Sequence, residues 1–250
     1  MYLNNKNIKT FITYQHIMKK ELLNILLFLI GCLTTYAHTV WIETDANGKL
    51  NKPHQVKVFF GEPDSPTFTE KWFSDIKDLE LLLIYPSGKK EVLSKTQKES
   101  HYLASFIPSE KGIYTLSVKH LVKDVFKEMK ITYQSVAFVS VGTKEVSELT
   151  LGELPLQLSF DTSAVKTNGT KIFKMLKEGN IAGKERVSIT SENGWAMAYR
   201  TDSNGRIKFN PLWKGNYLLE FSWSNKEEGD HNGKSYKMNY QTINYLIKVK

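Results

Sequence analysis

The chain has 250 residues, a formal net charge of +8 at neutral pH and a single cysteine. Its lysines and arginines are spread along the sequence, which favours solvated basic faces and argues against a nucleic-acid-binding surface. Cys32 has no second cysteine to pair with, so an intramolecular disulfide is excluded. The stability of the folded part must therefore come from its packed core.

The first predicted element is an export signal in residues 1–37. Lys19-Lys20 forms a basic start, and residues 22–33 form an apolar stretch too short to span a bilayer comfortably. Thr35-Tyr36-Ala37 has the small-x-small pattern that signal peptidase cleaves. Cleavage there leaves His38 as the new amino terminus, so residues 1–37 are excluded from the predicted fold.

An alternative interpretation of the same segment is lipidation. Leu29-Ile30-Gly31-Cys32 resembles a bacterial lipobox, in which the cysteine is lipidated and becomes the amino terminus. The apolar Leu33 after that cysteine argues against lipidation, so simple secretion is favoured. Both interpretations place the protein outside the cytoplasm, as a periplasmic protein or as a membrane-anchored lipoprotein. No membrane span is expected in the mature protein.

Residues 38–149 are predicted to form a first antiparallel, Ig-like β-sandwich domain. Short stretches with period-two alternation and many aromatic or β-branched residues are bounded by turn residues, and this spacing is typical of a sandwich. The predicted strands are Thr39–Glu43, His54–Phe60, Leu79–Tyr85, Tyr102–Ile107, Ile113–Leu121 and Lys130–Val141. Helical periodicity is almost absent, so we expect an all-β fold.

The connection over residues 61–77 is long and contains Pro63 and Pro66, whose rings remove ladder donors. We expect Trp72 in this connection to be exposed and the connection to cover a site. Aromatic faces stack on sugar rings. Trp72 is therefore the candidate residue for an alternative function, a surface or periplasmic module that binds glycan or protein.

Residues 150–250 are predicted to form a second β-sandwich domain. Asp202-Ser203-Asn204-Gly205 predicts a hairpin because Asn and Gly tolerate a positive φ, and Lys214-Gly215-Asn216 predicts another. Residues 227–234, rich in charge and glycine, predict an exposed loop before the last strand. The predicted strands are Leu156–Phe160, Lys171–Lys177, Arg186–Thr190, Ala196–Thr201, Arg206–Phe209, Asn216–Trp223 and Tyr240–Lys248.

Three segments of the second half carry a family resemblance; they are residues 182–189, 199–209 and 213–219. They resemble the transthyretin-like, or carboxypeptidase-regulatory-like, β-sandwich, in which T-D-x-x-G-x-x-x-F is followed by G-x-Y. Together with residues 37–43 and 112–116, they make the mature chain resemble the family called domain of unknown function 4198. The resemblance implies a periplasmic accessory protein for nickel or cobalt uptake, with a membrane transporter or outer-membrane receptor as partner. The chain departs from a metal-sponge pattern because it has no His-rich tract.

His38 is the leading candidate metal ligand, because a free α-amine beside an imidazole chelates a transition metal. Ni(II), Co(II) and Cu(II) suit such nitrogen donors, so we expect a protein that binds such an ion, or a small metal complex, and assists its uptake. Alternation along the first strand puts His38 and Glu43 on opposite faces, so Glu43 is not expected to bind the same ion. His101 and His120 lie at predicted strand ends, and they are the candidates for completing ligands.

Enzyme motifs are absent from the sequence. There is no nucleophile elbow, phosphate loop or zinc-protease helix, so we expect a non-catalytic protein. One enzymatic alternative is copper-dependent polysaccharide oxidation. Lytic polysaccharide monooxygenases hold copper with an amino-terminal histidine and a second histidine, and His38 is the single feature here that resembles them.

Overall fold

Strands dominate the described chain because alternating apolar and polar side chains, many of them β-branched or aromatic, suit a pleated sheet with one buried face. The computed structural model describes residues 38–153 and 155–250. The predicted export signal, its cleavage site and Cys32 lie outside the described residues. Two short 3₁₀ helices, Thr69–Lys71 and Ile76–Asp78, interrupt the strands.

The strands are numbered in chain order. Those before residue 142 are β1 (Thr39–Thr44), β2 (Asn47–Gly48), β3 (His54–Glu62), β4 (Ser65–Pro66), β5 (Leu82–Ile84), β6 (Lys90–Val92), β7 (Thr96–Gln97), β8 (Tyr102–Phe106), β9 (Gly112–Leu121) and β10 (Met129–Val141). Those after it are β11 (Leu149–Leu151), β12 (Leu156–Phe160), β13 (Lys171–Lys177), β14 (Asn180–Ile181), β15 (Arg186–Ser191), β16 (Ala196–Arg200), β17 (Arg206–Phe209), β18 (Gly215–His231) and β19 (Lys234–Val249).

Within the described residues these strands form three sheets. The central sheet has nine strands, in the order β16-β15-β18-β19-β10-β9-β5-β6, with β2 also paired to β10. The first outer sheet has the order β1-β3-β8-β7, with β4 on β3. The second outer sheet has the order β11-β12-β13-β14, with β17 on β13. The central sheet therefore draws strands from both halves of the chain.

β10 separates two apolar cores, because successive side chains of a strand point to opposite faces. Ala137 and Val139 belong to the core beneath the first outer sheet. Val136 and Phe138 belong to the core beneath the second outer sheet. Each outer sheet thus packs face to face on the central sheet, and the predicted all-β sandwich architecture is confirmed.

Most neighbouring strands are antiparallel, as predicted, but β10 runs parallel to β19 and to β2. The pairing of β10 with β19 joins the two halves of the chain in one sheet. The predicted boundary between residues 149 and 150 falls within β11, where the chain has left the central sheet. The division into two domains stays a prediction.

β18 and β19 form one long hairpin, so the prediction of a loop over residues 227–234 is wrong, although most of these residues are exposed as predicted. β18 continues to His231 and β19 starts at Lys234. Asn232 and Gly233 form the turn with φ values of 52° and 76°, and a type I′ turn requires such positive values at both central residues. The Asn232-Gly233 pair is typical of a two-residue hairpin turn. The charged residues around it favoured the loop prediction.

The turn predicted at residues 202–205 is present, but the strands on its two sides do not pair with each other. β16 pairs with β15 in the central sheet, and β17 pairs with β13 in the second outer sheet. Gly205 has a φ of 72°, and a Cβ there would lie 2.7 Å from the Met175 carbonyl oxygen. The turn therefore carries the chain between two layers, and the hairpin prediction is wrong. The second hairpin turn, predicted at residues 214–216, is also wrong, because Gly215 and Asn216 already belong to β18 of the central sheet and β17 lies in the second outer sheet.

The predicted exposure of Trp72 is also wrong. Its side chain is 6% exposed and belongs to the core beneath the first outer sheet. Trp72 Nε1 donates a hydrogen bond of 3.0 Å to the Thr67 carbonyl, and its ring lies 5.1 Å from that of Tyr102. Pro66 pairs with Gly61, so the proline-containing connection folds against β3. Trp72 consequently offers little ring surface to a sugar.

Candidate functional site

The start of β1 and the end of β3 lie side by side in the first outer sheet. Their antiparallel register pairs Thr39 with Gly61. Continuing this register by one residue places His38 opposite Glu62. The exposed His38 ring stacks on Phe60, with the two centroids 5.5 Å apart. The predicted amino terminus therefore lies beside an acidic side chain of the neighbouring strand.

Glu62 has a carboxylate oxygen without a partner. The side chain is half-buried, and its Oε1 atom is shielded from solvent with no hydrogen bond to any described residue. Burial raises the pKa of Glu62, while nearby His38 acts against the rise and Asp64 adds to it. Because burial penalises an unpaired negative charge, this carboxylate is stabilised by a positively charged neighbour.

A second carboxylate, Glu220 of β18, approaches the same place from the central sheet. It accepts a hydrogen bond from the Thr39 hydroxyl, which itself accepts one of 2.6 Å from Asn244 Nδ2. Burial raises the pKa of Glu220 to about 7 against the effect of the Thr39 hydrogen bond, and the charge of Glu62 contributes to the rise. We call His38, Glu62 and Glu220 the amino-terminal cluster.

His101 lies on the other face of the first outer sheet. Its ring centroid is 5.1 Å from that of Phe59, whereas His38 stacks on Phe60. Phe59 and Phe60 are successive residues of β3, so they point to opposite faces. Burial lowers the pKa of His101, and the positive charge of Lys57 lowers it further. The structure does not bring His101 into the amino-terminal cluster.

His120, near the end of β9, lies beside Asp75 instead. Its Nε2 atom lies 3.2 Å from Oδ1 of Asp75, and the side chain is 12% exposed. The same Asp75 oxygen accepts a hydrogen bond of 2.9 Å from the Lys123 backbone N–H. Burial works against ionisation of Asp75, but the hydrogen bond from the Lys123 backbone N–H and the proximity of His120 outweigh it and lower the pKa of that carboxyl. His120 therefore lies outside the amino-terminal cluster.

Chelation by side chains alone is not supported in the described part of the chain. In residues 38–153 and 155–250, no group of three or more His, Cys, Asp or Glu residues is arranged to hold a metal ion. The α-amine that cleavage would create at His38 is a further donor, and it is not one of those side-chain groups.

The acidic members of the cluster could not be found from sequence alone. Glu62 follows Phe60 by two residues, so alternation places both on one face, but only the register of β1 against β3 brings His38 beside them. Glu220 belongs to the other half of the chain, and only the packing of the first outer sheet on the central sheet brings it to Thr39. Such long-range contacts leave no local pattern.

A family comparison identifies the chain. The model of a domain of unknown function, DUF4198, matches residues 35–225. The chain belongs to the DUF4198 family. The DUF4198 match includes the whole amino-terminal cluster and ends within β18, before β19 begins. The predicted family membership is thereby confirmed.

Other comparisons add little about this DUF4198 chain. No match was found among curated proteins. A solved two-domain fibronectin type-III segment from chicken tenascin is similar at 14% identity, with 83% of this chain and 97% of that chain covered and a TM-score of 0.24. That score is too low to establish a shared topology. Among the described residues, no helix has the length and apolar character needed to cross a membrane.

Proposed function

We propose that this DUF4198 protein is exported, begins at His38 after processing, and binds a transition-metal cation without catalysing a reaction. The observation that carries the proposal is the unpartnered, buried Oε1 atom of Glu62 next to His38. A cation bound there would compensate the carboxylate charge. Nickel, cobalt and copper are the candidate cations, bound as cargo for uptake.

The donors of the amino-terminal cluster suit such a cation. His38 offers its imidazole and, once it is the first residue, its α-amine, and both are nitrogen donors that Ni(II), Co(II) and Cu(II) bind well. Glu62 supplies a carboxylate oxygen on the adjacent strand. Glu220 accepts a hydrogen bond from Thr39, and this bond orients a second carboxylate near that of Glu62. Both strands are rigid elements, which favours a preorganised site.

The proposal is tested by calorimetric titration of Ni(II), Co(II) and Cu(II) into protein that begins at His38. A matched protein carries one extra alanine before His38, which removes the free α-amine from the histidine. Glu62→Gln removes the carboxylate charge with little change of shape, and Glu43→Gln on the opposite face of β1 is the control. We expect stoichiometric binding that weakens at least about tenfold in the extended protein and in Glu62→Gln.

The control variant should bind like the parent protein. Equal binding by the parent and the extended protein would show that the α-amine is not a ligand. Absence of metal binding by both proteins would contradict the proposed metal-binding function.

Export and a membrane partner are tested in cells. We expect the full chain to be recovered from the periplasm with His38 as its first residue, and to raise metal uptake through a membrane transporter or outer-membrane receptor. A lipidated Cys32 recovered in the membrane fraction would favour the lipoprotein interpretation. A full-length chain retained in the cytoplasm would contradict export.

A further inference from the structure

β16 forms one edge of the nine-stranded central sheet. It pairs with β15 on one side, and no strand of the described residues pairs with its other side. Four of its five residues are exposed, namely Ala196, Met197, Ala198 and Arg200, so no part of the described chain covers this edge. An uncovered edge offers its unpaired backbone N–H and C=O groups to a further strand.

The backbone hydrogen bonds between β15 and β16 show which groups of β16 point away from β15. The Ser191 N–H donates a hydrogen bond of 2.8 Å to the Trp195 carbonyl, and the Thr201 N–H donates one of 2.9 Å to the Glu185 carbonyl. Both bonds continue the register of the two strands. Because hydrogen-bonded and non-hydrogen-bonded pairs alternate in an antiparallel ladder, the odd-numbered residues of β16 bond to β15 and the even-numbered residues do not.

The even-numbered residues, Ala196, Ala198 and Arg200, therefore direct their backbone N–H and C=O groups to the open side of β16. Within the described chain, none of these groups has a backbone partner. Donors and acceptors at every second residue are what an added antiparallel strand needs. The edge is thus a template for strand addition.

The other edge strands are shorter, charged or bonded to the central sheet. β6, at the opposite edge of the central sheet, has three residues and carries Lys90 and Glu91. β7 and β14 have two residues each, and β17 carries Arg206 and Lys208. The backbone of β1 bonds to a side chain of β10. Short or charged edges discourage pairing with another chain, whereas β16 has no proline, no lysine and no register shift.

The sequence of β16 is complementary to itself. When a second copy pairs antiparallel about Ala198, that alanine lies opposite its own counterpart, and Met197 lies opposite Tyr199 of the other copy. Arg200 lies opposite Ala196, so the single charge of the strand meets no like charge. The thioether and the phenol ring make a favourable sulfur–aromatic contact.

Apolar surface on one face of β16 would also be covered by such pairing. Met197 is 43% exposed, and half-buried Tyr199 packs against the core beneath the second outer sheet. Both side chains lie on the same face because they are two residues apart in a strand. A second copy would place its own Met197 and Tyr199 beside them and extend this apolar face.

We propose that two copies of this chain pair through β16, about a two-fold axis at Ala198, and join their central sheets into one. A five-residue strand pair buries less surface than a standard interface of about 1,600 Å², so we expect a weak dimer that dissociates on dilution in the micromolar range. The dimer is independent of the proposed metal binding, because no residue of β16 belongs to the amino-terminal cluster.

The test is analytical ultracentrifugation of the protein from His38 to Lys250, which forms one compact unit, with a metal chelator present. Between about 1 μM and about 1 mM protein, we expect a monomer to give way to a dimer. Ala198→Lys and Ala198→Glu each place two like charges opposite each other, so each should weaken the dimer at least about tenfold. An equimolar mixture of these two variants should restore it, because opposite charges then face each other.

Val92→Lys is the matched control, since Val92 is an exposed residue of the edge strand β6. It should associate like the parent protein. A cysteine variant reports the register directly, because residues 38–250 contain no cysteine. Opposite Cα atoms in a hydrogen-bonded pair lie about 5.5 Å apart, within the reach of a disulfide. Ala198→Cys should therefore form a disulfide-linked dimer on mild oxidation, and Val92→Cys should not.

A monomer over the whole concentration range would overturn the proposal, as would a dimer that Ala198→Lys leaves unchanged. Equal unfolding midpoints for the parent and Ala198→Lys would show that the lysine acts on association and not on folding. Because a chelator is present, failure of the proposed metal function would leave the association result intact.

Discussion

Thr39 in the first strand accepts a hydrogen bond of 2.6 Å from Asn244 in the last strand, although 205 positions separate them in the sequence. Both residues are buried, and Asn244 also donates to the Gln134 carbonyl of β10 at 3.1 Å. Ser135 of β10 accepts a hydrogen bond of 3.0 Å from the Ile42 backbone N–H. Polar contacts therefore fix β1 on the central sheet and determine where the amino-terminal cluster lies.

Replacing Thr39 with valine keeps the shape of the side chain but removes the hydroxyl. That hydroxyl accepts a hydrogen bond from Asn244 and donates one to Glu220. We expect the free energy of unfolding to fall by about 1–2 kcal/mol, because a buried amide and a carboxylate each lose a hydrogen bond. Urea-induced unfolding followed by fluorescence measures this change. Thr39→Ser, which keeps the hydroxyl, is the control and should cost less. A valine variant as stable as the parent would show that the Thr39 hydroxyl contributes nothing.

Lys171 is a buried cation whose ammonium group donates several hydrogen bonds. Its side chain is 6% exposed, and Nζ donates to the Asp161 carboxylate and carbonyl at 2.7 and 2.6 Å and to the Ser163 carbonyl at 2.9 Å. Lys171→Met should lower the free energy of unfolding by about 2–4 kcal/mol, because these acceptors lose a charged donor. Lys208→Met, at an exposed position of β17, is the matched control. Equal midpoints of denaturant unfolding for the two variants would contradict the prediction.

The alternation of side chains was enough to predict most strands, because burial of one face acts on each residue locally. Leu156–Phe160, Lys171–Lys177 and Arg206–Phe209 agree at both ends. The pairing of those strands could not be predicted in the same way. The residues at positions 202–205 are compatible both with a hairpin between neighbouring strands and with a connection between two sheets. Glu62 and Glu220 escaped prediction for the same reason, because they meet only through strand register and sheet packing.

The Asn232-Gly233 turn holds the end of the β18–β19 hairpin. Both residues have positive φ, and Asn232 Nδ2 donates a hydrogen bond of 3.0 Å to the Lys123 carbonyl. Gly233→Val should destabilise the hairpin by about 1 kcal/mol or more, because a β-branched residue is strained at positive φ. Hydrogen exchange of the amides in residues 226–238 measures this locally, and Ser235→Ala is the control. Unchanged protection in the valine variant would contradict the turn geometry.

Glu227 gives the protein a predictable response to acid. Hydrogen bonds from Lys130, Asn239 and Tyr236 lower the pKa of Glu227 to about 2, well below the ordinary value for a glutamate. A carboxylate with a lowered folded-state pKa contributes stability that is fully present above its unfolded pKa, and this contribution is lost as the pH falls towards 2. Unfolding midpoints of the parent and Glu227→Gln should therefore differ at pH 7 and converge as the solution is acidified. Because Glu227 is partly exposed, salt should reduce the difference at pH 7. A difference that stays constant from pH 7 to pH 2 would show that the Glu227 charge does not stabilise the hairpin.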